Sequence, residues 1–92
     1  MLIDEFWKIY NENYKKYESP GFQVVDHPLS GDTGYYLCSI YVNENGKYCI
    51  DKTMERSNTP YHYEYDSEEV AVKEILDICS FHTGIKYEGD GI

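Results

Sequence analysis

The residues of this 92-residue chain best suited to chemistry are three cysteines and three histidines. Cys79 and His82 stand three apart in a stretch of helical spacing, which is half of a zinc site. The other half is missing, because Cys38, Cys49, His27 and His62 are scattered along the chain. A buried thiol and a helix-terminal imidazole account for the pair, so no metal and no cofactor is expected. No local signature of a nucleophilic cysteine surrounds any of the three, and no catalytic residue is assigned. His62-Tyr63-Glu64 has the opening of a zinc deaminase signature, but no PCxxC follows and the residues alternate along a strand. The glycines are dispersed at turns and cradle no phosphate. Eight basic residues without clustering argue against direct nucleic-acid binding.

Acid and tyrosine are the outliers. The net charge is −9, and it is uneven: eight acids face two bases from Pro60 onward, against nine and six before it. Such acidity repels nucleic acid and anionic lipid and favours a cationic partner. Eleven tyrosines add large contact area with a polar tip at low ordering cost. The plainer explanation is that tyrosines fill a small core and the acids form a solvated face. Against it stands their order in the chain. Glu64, Asp66, Glu68, Glu69, Glu74 and Asp77 begin inside a tyrosine-rich strand and continue onto a helix start. Carboxylates and phenols together suit a basic protein surface through charge-assisted bonds and aromatic anchors. The candidate partner-binding residues are therefore Tyr35, Tyr41, Tyr61, Tyr63, Glu64, Tyr65, Asp66, Glu68 and Glu69.

The elements that position these residues are legible from periodicity. Leu2 to Tyr17 carries Ile3, Phe6, Trp7, Tyr10, Tyr14 and Tyr17 at helical spacing, and Ser19-Pro20-Gly21 ends the helix. Phe22 to Asp26 is a short strand, followed by turn residues from Leu29 to Gly34. Gly34 to Thr53 reads as a β-hairpin. A three-residue turn with Gly46 left-handed sets Val42 opposite Tyr48, Ile40 opposite Ile50, Cys38 opposite Lys52 and Tyr36 opposite Met54, gathering the apolar residues on one face. Tyr61 to Tyr65 alternates strictly, with three tyrosines on one face and His62 and Glu64 on the other. Asp66 is expected to cap the last helix, with Glu69 completing a capping box, and Gly84 to stop it.

The order α-β-β-β-β-α predicts an α+β fold, a four-stranded antiparallel sheet flanked by N- and C-terminal helices in a single domain spanning residues 1–92. If both helices share one face, the other, with Tyr35, Leu37, Ser39, Tyr41, Cys49 and Asp51, meets solvent or a partner, which also permits a homodimer. No apolar run is long enough to span a membrane. The acidic start, Met1 to Glu5, is not a secretory signal, and an odd cysteine count without CxxC spacing suits a reducing, cytoplasmic setting.

In size, acidity and element order the chain resembles the small immunity proteins that neutralise bacterial polymorphic toxins, and some phage-encoded inhibitors. The resemblance implies a cytoplasmic antitoxin that binds a cognate toxin, often a nuclease, without catalysis; it transfers no individual residue. The alternatives are a phage-encoded inhibitor of the anti-CRISPR or anti-defence type that mimics nucleic-acid charge, and a small ligand-binding or enzymatic domain with a Cys/His pocket.

Overall fold

A computed structural model describes residues 2–19, 22–29, 38–53 and 60–85. In chain order they form helix α1 (Ile3–Asn13), a 3-10 turn (Lys15–Tyr17), strands β1 (Val24–Val25), β2 (Cys38–Val42), β3 (Tyr48–Lys52) and β4 (Tyr61–Tyr65), and helix α2 (Glu68–Thr83). The fold is α+β with one four-stranded sheet in the order β1-β2-β3-β4. Among the described residues no helix is long and apolar enough to cross a membrane.

The hairpin turn sets the register of the sheet. Gly46 has φ +77°, in the left-handed region that glycine adopts without a Cβ penalty. Its N–H donates to the Asn43 carbonyl at 3.0 Å, and the Asn43 N–H donates to the Lys47 carbonyl at 3.0 Å. The Asn43 side chain locks the turn, its Oδ1 accepting from the Asn45 and Lys47 N–H groups at 3.0 and 2.9 Å. β2 and β3 consequently pair as the hydrophobic pattern predicts, with Cys38 opposite Lys52, Ile40 opposite Ile50 and Val42 opposite Tyr48. The Tyr36–Met54 pair lies outside the described residues. β4 adds antiparallel to β3, with Asp51 opposite His62 and Cys49 opposite Glu64.

Both helices cover one face. Phe6, Ile9, Tyr10 and Tyr14 of the N-terminal segment pack with Val24, Cys38, Ile40 and Ile50 of the sheet and Ala71, Val72, Ile75, Leu76 and Cys79 of α2. α1 stops at Asn13, earlier than periodicity suggests, and the chain continues through the 3-10 turn, which leaves Tyr17 exposed. The helix starts are tied together. The Ile3 N–H, one of the donors that helix geometry leaves orphaned, is satisfied by Glu68 Oε2 of α2 at 2.9 Å. Gly84, with φ +73°, ends α2 as expected.

Three expectations are corrected. β1 runs parallel to β2, Val24 pairing with Cys38 and Val25 with Ser39, so the sheet is mixed rather than antiparallel. That strand is also only two residues long, against the five of Phe22 to Asp26. The α2 cap is Ser67, whose hydroxyl accepts from the Val70 N–H at 3.3 Å, because the helix starts at Glu68, one residue later than expected; Asp66 pairs with Lys47 instead.

Candidate functional site

On the sheet face away from the helices, strict alternation and the two registers align two cross-strand rows. One is Ser39, Asp51 and His62; the other is Tyr41, Cys49 and Glu64. The face is less open than the sequence suggests. Ser39, Cys49 and Asp51 are buried, and the chain after β1 lies over this face, where the Leu29 N–H donates to Asp51 Oδ2 at 3.2 Å.

Asp51 is the centre of a polar cluster. Besides Leu29 it accepts from the Tyr41 hydroxyl at 2.9 Å, and its Oδ1 lies 2.6 Å from His62 Nδ1. The other ring nitrogen, Nε2, is 2.9 Å from Glu64 Oε2, so the imidazole is clasped between two carboxylates. Hydrogen bonds to Glu64 and then to Asp51 hold His62 above its ordinary pKa, favouring the imidazolium. Cys49 lies under the same cluster; burial first, then Glu64 and Asp51, push its thiol up. Burial and the bond to Asp51 likewise raise Tyr41. These shifts oppose nucleophilic catalysis. A thiol whose pKa is pushed up lacks the lowered pKa of an activated nucleophile, and the imidazole beside it is already engaged by two carboxylates.

The predicted binding residues are split between surfaces. Tyr41 and Glu64 belong to the cluster. Tyr61, Tyr63 and Tyr65 project from the opposite side of β4, the side that the helices face. Tyr61 and Tyr63 are 49% and 44% exposed, while Tyr65 is partly buried and its phenol is raised by burial and then by Glu74. Asp66 pairs with Lys47, Glu68 is engaged at the start of α1, and Glu69 is exposed in the first turn of α2. Tyr35 lies outside the described residues. Phenols and carboxylates therefore flank the β4 edge from both sides rather than sharing one face.

The two members of the Cys79–His82 pair sit in different surroundings. Cys79 is packed in the core, its thiol raised by burial, while His82 lies beside Phe22 and Phe81. What sequence reasoning missed is the convergence of Cys49, His62 and Glu64, donors from three positions that lie within 4.8 Å of one another. Only the β3–β4 register could have revealed it. A further feature is an open groove of about 530 Å³ between the chain after β1 and the hairpin turn. Asp26, His27, Tyr41 and Glu44 line it, and among the described residues neither lysine nor arginine does.

The chain matches no protein-family model, no curated protein and no solved structure with which it was compared.

Proposed function

We propose that this chain is an inhibitor of the immunity type, which binds and occludes a cognate bacterial toxin with a basic, nuclease-like surface. The observation that carries the reading is the character of β4. Among the described residues it ends the strand order, and Tyr61, His62, Tyr63 and Glu64 are all exposed on it. Proteins usually blunt such an edge with lysine, proline or a bulge within the strand. Here the edge presents two half-exposed tyrosines on one side and a carboxylate on the other, and it runs directly into the acidic residues Asp66 and Glu69. An extended segment of a basic partner can add to the outer edge of this strand. The tyrosines then supply anchors, and the carboxylates supply steering and charge-assisted bonds.

The test separates the edge from the fold. Tyr61→Ala with Tyr63→Ala, and separately Asp66→Asn with Glu69→Gln, alter residues whose exposure limits the cost to stability. Glu68 is left intact because it satisfies the α1 start, and Glu64 because it belongs to the cluster. Affinity capture from host lysate at low and high salt should yield one stoichiometric basic partner with the unaltered chain. High salt and either variant should remove it. Equal capture by the variants and the unaltered chain would place the interface elsewhere.

A further inference from the structure

We propose that Cys49, His62 and Glu64 form a binding site for a zinc-class divalent cation, with Asp51 as the positioning residue for His62. Cys49 and Glu64 are directly opposed across β3 and β4, and His62 precedes Glu64 by two residues on the same face. One donor atom from each of the three lies within 4.8 Å of the others. Tetrahedral zinc holds sulfur at about 2.3 Å and nitrogen or oxygen at about 2.0–2.2 Å, which separates neighbouring donors by roughly 3.3–3.6 Å. His62 and Glu64 side chains are 44% and 47% exposed, so both can rotate to close the difference without disturbing the core.

The surroundings of His62 argue further. Metal-bound histidines donate their second ring N–H to a carboxylate or carbonyl, which fixes the tautomer and the ring plane. Asp51 occupies that position 2.6 Å from Nδ1, and it is itself held by the Tyr41 hydroxyl and the Leu29 N–H. Nε2 is thereby directed toward Glu64, which stands opposite Cys49 across β3 and β4. The donor types choose the ion: thiol sulfur and imidazole nitrogen suit zinc or cobalt and not calcium or magnesium. Charge balances as well. The cation displaces the Cys49 proton and the Nε2 proton of the His62 imidazolium to solvent, and a thiolate, a carboxylate and a neutral imidazole together bring a doubly charged ion to zero. Three protein donors leave a fourth position, open toward solvent on the exposed side of His62 and Glu64.

The experiment titrates the full chain with zinc against a chromogenic chelator, and with cobalt while following the thiolate-to-metal charge-transfer absorption. One equivalent should bind. Cys49→Ser should abolish the charge-transfer band. His62→Gln and Glu64→Gln, on an exposed strand that tolerates them, should each weaken binding at least about 10-fold. Asp51→Asn should weaken it by about 10–100-fold yet keep the band, the mark of a positioning residue. His27→Gln should change nothing. Absence of binding at micromolar metal would overturn the site and leave the cluster a charge clamp. Binding that survives both His62→Gln and Glu64→Gln, or that shows no thiolate band, would overturn it equally, even if Cys49→Ser fails to fold.

Discussion

Removing the Asp51 carboxylate should cost more than any other single polar change on the sheet, and the structure sets the size. Asp51 is 4% exposed and holds three donors. The bonds from the Leu29 N–H and the Tyr41 hydroxyl go to a charged, shielded acceptor, and such bonds contribute about 1.5–3 kcal/mol each. The pairing with His62 is half-open to water and adds at most about 1 kcal/mol. Because these terms share one acceptor they are not additive, and Asp51→Ala should lower stability by about 3–5 kcal/mol. Asp51→Asn keeps an acceptor oxygen and loses the charge, so about 1–2 kcal/mol is expected. At about 4–8 °C per kcal/mol for a domain of this size, Asp51→Ala should melt at least about 12 °C lower. The assay is urea unfolding followed by circular dichroism, with chelator present so that any metal contribution is excluded. A loss under about 1 kcal/mol for Asp51→Ala would refute the reasoning, since the bonds would then carry no more weight than exposed ones. So would an Asn variant as damaging as the Ala variant.

Tyr10→Phe should lower stability by about 2–3 kcal/mol in the same assay. The Tyr10 hydroxyl accepts from the Val24 N–H at 3.2 Å, on the side of β1 away from β2, and donates to Glu18 at 2.5 Å. His82→Gln should flatten the dependence of stability on pH in mildly acidic solution. Burial, then Lys52, holds His82 below its ordinary pKa of 6.5, so the unfolded chain binds more protons as the pH falls through that value. The His82 contribution is thus full above about pH 6.5 and is lost on acidification. Parallel curves for the two proteins between about pH 5 and 7 would contradict this sign.

What the sequence disclosed follows from how local each determinant is. The hairpin register was legible because Gly46 and the alternation of Ile40, Val42, Tyr48 and Ile50 select the same turn, and neither depends on distant contacts. The direction of β1 was not, since a two-residue strand leaves no pattern from which to read its partner's polarity. The burial of Asp51 was hidden because the cover comes from Leu29, which lies 22 positions away in the chain. The role of Glu68 depends on a contact across 65 positions, and that distance turned an apparent surface carboxylate into a fastening between helices. The split of the tyrosines from Glu64 was visible in the strand's alternation. Its consequence was not, because which side of β4 the helices leave bare depends on tertiary packing.

The most direct test of the proposed function is hydrogen–deuterium exchange on the chain alone and with its captured basic partner. Binding along the β4 edge should protect backbone amides within Tyr61–Tyr65 and at the start of α2, with the change confined there. Protection centred instead on α1 or β1, with β4 exchanging as it does in the free chain, would contradict the account.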